Sequence, residues 1–171
     1  MGERGAIGFL LSLLFCELTQ LVLLVKKNSS DSELNSVPGK YANRSKARLV
    51  VFQVLFQEDL NPGYCEQFGK KYLEEGLPDH EQVLRFAQTL LENCRAHAAE
   101  IDDRIGNVSR NWSVSRLNAT DRNILRLAVC ELLYQETPKP VVIHEALDLA
   151  TQFGTKDSTA FVNGILDQIA K

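Results

Sequence analysis

Between Arg44 and Lys171 the apolar positions recur at helical spacing, and no run alternates with the period of a strand. The first stripe predicts a helix over about Arg44 to Leu60. Ala47, Val51, Val54 and Leu55 share one face, Val50, Phe52 and Phe56 widen it, and only Gln53, Gln57 and Glu58 read as wet. A helix apolar around most of its circumference belongs at the centre of a bundle. Asn61-Pro62-Gly63 stops it, because proline removes a donor and glycine permits the turn. A short helix follows near Glu66 to Glu75, ended by Gly76. Asp79 is placed to cap a third, which carries Val83, Phe86, Ala87, Leu90 and Leu91 and either continues or restarts through Ile101 and Ile105.

In the second half, Thr120 can cap a helix in which Leu125, Ala128, Val129, Leu132 and Leu133 occupy the i, i+3, i+4, i+7 and i+8 positions. Trp112, ahead of Arg116, reads as a core residue pinning the preceding turn. Pro138 and Pro140 separate this helix from its neighbour, whose stripe is Val142, Ala146, Leu149, Ala150 and Phe153 and whose stop is Gly154. Asp157 or Thr155 can cap the last helix, which buries Phe161 or Val162 with Ile165, Leu166 and Ile169. The predicted fold is all-α, a compact bundle of about six or seven helices joined by short turns.

The first forty residues break this pattern. From Ile7 to Val25 the chain is mostly Leu, Val and Phe, but Glu17, Thr19 and Gln20 interrupt it, and Glu3 beside Arg4 denies it a clear positive lead. A charge near the middle of a span costs about 2.5–3.5 kcal/mol on insertion scales, so a membrane partner is not expected. Bulky Phe15 before Cys16 also argues against a lipoprotein signal. The Ser/Asn-rich stretch after Lys27, ending in Pro38-Gly39, reads as a linker, which divides the chain into residues 1–40 and a helical domain over 41–171.

Composition narrows the function. The 171 residues suffice for one buried core, and a net charge of -3 provides no general attraction to phosphate, so any nucleic-acid contact must be local. Cys16, Cys65, Cys94 and Cys130 are widely spaced, with no Cys-x-x-Cys pair, which points to inert thiols in a reducing cytosol rather than a zinc site or disulfide framework. No metal or cofactor is expected.

Two places can meet RNA. Arg44, Lys46 and Arg48 open the first domain helix, with Lys40 upstream. Arg44 and Arg48 lie one turn apart, so both guanidinium groups can face one anionic surface, where counterion release favours phosphate. Read alone, such a cluster is more often a solvated face. The second place is Lys156 to Asn163 at the start of the last helix, where free N–H groups and the dipole favour phosphate. Asp157, Ser158 and Asn163 can read base edges or sugar hydroxyls, and Phe161 can stack a base. The plainer reading makes Asp157 or Ser158 a cap, Phe161 core, and Gly164 a site of close helix packing.

Catalytic constellations are weaker. His144 and Asp148 form an ordinary i, i+4 surface pair, with Glu145 placed on the same outer face. Asp102 with Asp103 and Glu74 with Glu75 are adjacent pairs that point to different sides of a helix. Phosphate-loop, dinucleotide and nucleophile-elbow motifs are absent, and no enzymatic activity is expected.

The residues from Asn43 to Lys171 resemble one family, the bacterial antitermination factor NusB. The resemblance is carried by Asp121-Arg122-Asn123-Ile124-Leu125-Arg126-Leu127-Ala128, by Glu131-Leu132 and by Val142-Ile143-His144-Glu145-Ala146. It continues through Phe153-Gly154 and Asp157-Ser158 to Phe161-Val162-Asn163-Gly164-Ile165-Leu166-Asp167. In the first half only the basic helix start and Phe52 to Leu60 are diagnostic.

The resemblance implies two packed subbundles and no catalysis. It also implies binding of single-stranded boxA RNA together with NusE, a small-subunit ribosomal protein, within an antitermination complex on RNA polymerase, including on ribosomal RNA operons. The family's arginine-rich motif maps onto Arg44, Lys46 and Arg48, with Ser45 where another arginine is often found. Its second RNA surface maps onto Asp157, Ser158 and Phe161, with Ala160 at a position that can be basic. His144 stands where Asn is usual, a tolerated surface change near the NusE face. Asp121, Arg122 and Glu131 are assigned to capping, ion pairing and docking.

NusB-like domains also stand in front of RNA cytosine methyltransferase domains, so the second reading is an accessory module without RNA binding of its own. No room for a nucleotide-cofactor domain follows Lys171, which sets the enzyme itself aside as an expectation. A homodimer that covers the RNA face stays open. For residues 1–40, a tether, an extra helix and a stretch upstream of the true start compete, and the last is favoured. Met1 is the only methionine, so a later start needs a non-AUG codon, for instance at Leu34 or Val37. Mass spectrometry of the endogenous protein is expected to yield no peptide covering Ile7 to Val25; finding one sinks the late-start reading.

Overall fold

The structure is a computed structural model that describes residues 39–61, 65–77, 81–109 and 113–171. Within them the chain forms seven α-helices and one 3-10 turn, with no strand among the described residues. They are α1 (Gly39–Leu60), α2 (Cys65–Gly76), α3 (Glu81–Ala96), α4 (Ala98–Val108), α5 (Ala119–Tyr134), α6 (Lys139–Phe153) and α7 (Ser158–Ile169), with the 3-10 turn at Val114–Arg116 between α4 and α5. The expected all-α bundle is observed. The readings placed on residues 1–38, Pro62-Gly63, Asp79 and Trp112 lie outside the described residues.

Two helices sit at the centre because their sequences leave little polar surface. In α1, Ala47, Val50, Val51, Phe52, Val54, Leu55 and Phe56 are buried, and in α5 Ile124, Leu125 and Leu127 through Cys130 are buried. Each large side chain so enclosed contributes about 1.5–3 kcal/mol relative to exposure. Helices α2 and α3 pack on α1, while α4, α6 and α7 pack on α5, and the two groups are joined where α1 and α3 both meet α5. That arrangement is the pair of subbundles the family resemblance implies. No helix among the described residues is long and apolar enough to cross a membrane.

The element ends explain several departures from the predicted pattern. Helix α1 begins at Gly39, within the predicted linker, because extending a helix nucleated at the apolar stripe costs little per added residue. Gln53, expected to be wet, is 4% exposed, and the Tyr72 hydroxyl of α2 donates to its Oε1 at 3.0 Å. The long third segment restarts at His97, where φ -113 and ψ 19 separate α3 from α4. Asn118, rather than Thr120, caps α5: its side-chain oxygen accepts from the Asp121 N–H at 2.8 Å, and its amide donates back to Asp121 Oδ2 at 2.6 Å. Pro140 lies in the first turn of α6, where a missing N–H costs no hydrogen bond.

The far end of α1 is fastened by charge. A carboxylate in the last turn of a helix opposes the helix dipole, yet Asp59 sits there at 13% exposure. Its Oδ2 accepts from Arg122 Nε and Nη2 at 3.0 and 2.5 Å and from Asn123 Nδ2 at 3.0 Å, and its Oδ1 accepts from Arg126 at 3.0 Å. Arg126 reaches on to both oxygens of Asp102 in α4 at 2.7 Å, and Arg122 donates to the Leu117 carbonyl at 2.7 Å. One carboxylate thus ties α1, α5 and, through Arg126, α4.

Burial pushes the Asp59 pKa up, but hydrogen bonds from Arg122, Asn123 and Arg126 and the Arg122 charge outweigh it and hold the group below 3.8. A pKa lowered by folding stabilises the protein above the unfolded value and ceases to do so as pH falls through the folded one. Asp59→Asn is therefore expected to cost about 2 kcal/mol at pH 7, and the difference from wild type should narrow as pH falls below about 4. Urea unfolding of both proteins from pH 7 to pH 2.5 checks this; a constant difference contradicts it.

Candidate nucleic-acid interface

The opening of α1 divides its basic residues by helical position. Arg44 and Lys46 are exposed, whereas Arg48, one turn beyond Arg44, points into the bundle and is 4% exposed. Its Nε donates to Glu131 Oε2 at 2.8 Å and its Nη2 to Glu131 Oε1 at 2.6 Å, a bidentate pair with α5. Its Nη1 lies 3.4 Å from Glu145 Oε1 on α6. Ser45 donates to the same Glu145 oxygen at 2.6 Å, and Thr137 donates to Glu131 Oε1 at 2.7 Å.

Burial alone would lower the Arg48 pKa. The hydrogen bonds and charge of Glu131, with the charge of Glu145, reverse that and raise it above the ordinary guanidinium value. Glu131 is itself 1% exposed, and a buried carboxylate left without a cation is strongly destabilising, so the pair is mutually required. The expectation that the guanidinium groups of Arg44 and Arg48 both face one anionic surface is corrected on this ground, because Arg48 is turned inward. Glu145, expected on the outer face of α6, is likewise drawn inward at 17% exposure. His144 and Asp148 do form the expected surface pair, 3.5 Å apart.

What Arg44 and Arg48 share is an aromatic ring. Phe86 of α3 lies under both, with the Arg44 Cζ 5.0 Å and the Arg48 Cζ 5.3 Å from the ring centroid, within cation–π reach. Phe86 was legible in the sequence only as a stripe residue.

At the start of α7, Asp157 occupies the cap position with helical backbone angles, makes no capping hydrogen bond and is exposed beside exposed Lys156. Ser158 is 1% exposed. Its Oγ accepts from the Thr155 N–H at 2.8 Å and lies 3.1 Å from Thr155 Oγ1, which closes the turn and occupies the hydroxyl. Ser158 is therefore a turn-forming residue in this conformation, contrary to its expected place on an open surface. Phe161 is half-buried against the core, and Val162 beside it is buried. Asn163 donates to Asp167 one turn on, at 3.1 Å.

The two glycines of this region differ. A Cβ on Gly154 would sit 2.5 Å from Ser158 Cβ and 2.6 Å from the Ala150 carbonyl, so the turn needs its absence. Gly164, expected to permit close packing, faces open space instead.

Helices α1 and α6 lie side by side. Ser45, in the first third of α1, meets Glu145 at the middle of α6, and the Phe52 and Phe153 rings are 5.4 Å apart further along. The basic turn of α1 therefore adjoins the middle of α6, while Asp157 and Phe161 lie past its end. Arg44, Lys46 and Arg48 are brought together at one place and Asp157, Ser158 and Phe161 at another.

Comparison with known proteins gives this arrangement a family. The family model described as the NusB family matches residues 45–171. The transcription antitermination protein NusB of Geobacter sulfurreducens is 40% identical over 128 residues, covering 74% of this chain and 93% of that protein. The NusB of Treponema pallidum is 42% identical over 132 residues, covering 75% and 92%. Among solved structures, NusB of T. maritima aligns with a TM-score of 0.69 and 38% identity over 74% of this chain and 89% of that one. A chain from a crystal structure of antitermination factors NusB and NusE in complex with double-stranded RNA aligns with a TM-score of 0.67 and 30% identity, over 75% and 96%. With the sequence signature, the helical arrangement and these relatives in agreement, the chain belongs to the NusB family.

Proposed function

We propose that this protein is a transcription antitermination factor that binds boxA-type single-stranded RNA together with NusE and joins an antitermination complex on RNA polymerase, including on ribosomal RNA operons. The observation that carries the reading is the exposed pair Arg44 and Lys46 at the start of α1, in a chain whose net charge offers phosphate no general attraction. Relatives named as antitermination proteins, and one solved with NusE and RNA, support the partners.

In this reading Arg44 and Lys46 meet phosphate. Asp157 does different work: a carboxylate repels phosphate but accepts hydrogen bonds from base amino groups and the 2′-hydroxyl, which suits it to choosing among sequences. The exposed part of half-buried Phe161 offers an apolar surface for a base beside it. Ser158 contributes by shaping the turn that presents Asp157.

The reading is tested by titrating a boxA-like single strand, and its duplex form, with and without NusE across a range of salt. Arg44→Ala and Lys46→Ala are each expected to weaken binding and to flatten the log–log salt slope by about 0.7 on the single strand. Asp157→Ala is expected to alter preference among RNA sequences while leaving the slope unchanged. Wild-type protein that gains no affinity from NusE and binds no RNA would instead favour an accessory module, a reading to which the use of Ser45 in a carboxylate hydrogen bond lends some weight.

A further inference from the structure

Three features outside the RNA reading present themselves: the buried thiols Cys94 and Cys130, the small cavity between α5 and α6, and the ion network under the basic turn. The thiols are buried inside the bundle, and the cavity is lined by Arg48, Glu131 and Glu145 themselves, so it belongs to the network. The network carries an inference of its own.

We propose that Arg48 is a positioning residue rather than a phosphate ligand: with Glu131, Glu145 and the Phe86 ring it fixes the place from which Arg44 reaches RNA. The inference rests on the RNA-binding reading above and assigns a new role within it. Arg48 directs Nε and Nη2 to Glu131 and lies 3.4 Å from Glu145 through Nη1. Turning it outward would leave Glu131, at 1% exposure, charged and held by the Thr137 hydroxyl alone. A solvated phosphate does not offset such a loss, because the surface pair gained is screened while the buried charge left behind is not.

Arg44 stands differently. It is exposed, and the ring under it also carries Arg48. Two cations over one ring repel each other unless one is neutralised, and Glu131 and Glu145 neutralise the inner one. The outer guanidinium then rests against Phe86 with part of its rotamer freedom already lost before RNA arrives, which lowers the entropic cost of binding. Ser45 adds to the same arrangement by donating to Glu145 from the turn between the two arginines.

The test uses the full chain labelled at arginine nitrogen and a boxA-like single-stranded RNA. In the free protein the Arg48 Nε–H is expected to exchange slowly with solvent, and its NMR signal should keep its position when RNA saturates the protein, while the Arg44 signal moves. Phe86→Leu, which keeps apolar bulk but removes the ring, should weaken RNA binding about two- to five-fold. That effect should vanish in an Arg44→Ala background. With RNA bound, a displaced Arg48 signal, or additive effects of Phe86→Leu and Arg44→Ala, overturns the positioning role alone. Wild-type protein that binds no RNA overturns the RNA reading and this inference with it. If Phe86→Leu does not fold, the two arginine signals of the wild-type protein decide the question.

Discussion

A carboxylate placed inside an apolar bundle must be met by a cation at the same depth, and Glu131 imposes that condition on this fold. It lies on the most buried helix, α5, at 1% exposure, and Arg48 is the cation that meets it. Because Arg48 is carried by α1, the requirement fixes how α1 is rotated about its own axis, and hence which of its basic residues face outward. Hydrophobic burial alone would tolerate some sliding of two such helices, since Val, Leu and Phe contacts have no direction. A bidentate pair does not tolerate it. The Asp59 cluster applies the same constraint in the last turn of α1, so the helix is held by directional contacts near its middle and at its end, with packing between them.

These constraints explain which parts of the structure could be read from the sequence. The stripes of α1, α5 and α6 were legible because side chains at i, i+3 and i+4 must share a face whatever surrounds them, and Val142, Ala146, Leu149 and Ala150 are buried as the spacing predicts. Gln53 was not, since its burial depends on α2 folding over a face that the local pattern leaves polar. Asn118 escaped notice as a cap because Thr120, two residues later, is also a capping type, and the choice between them follows from where the 3-10 turn delivers the chain.

The site was less legible than the fold. An arginine in a basic run looks the same in sequence whether it meets solvent or a buried acid. The signal that separates the cases lay in the partner: Glu131 is four residues beyond Leu127 and three beyond Ala128, on the buried face of α5, so a carboxylate there called for a cation from elsewhere. Ser158 is a similar case. A serine at a helix start suggests an available hydroxyl, and only the turn from Thr155 reveals that it is already engaged.

The side-by-side course of α1 and α6 gives α6 the character of a ruler. Glu145, at its middle, anchors the basic turn, and Phe153, at its end, leads into the turn that carries Asp157. Eight residues of helix separate those two points, a rise of about 12 Å. A strand of RNA that touched both surfaces would have to run at least that far, and its length between them would be set by α6, an element that itself contacts neither end of the strand. Lengthening or shortening that helix by one turn would change the register of the bound strand by about 5 Å, so the spacing of recognised nucleotides would be encoded in a helix whose own residues read none of them.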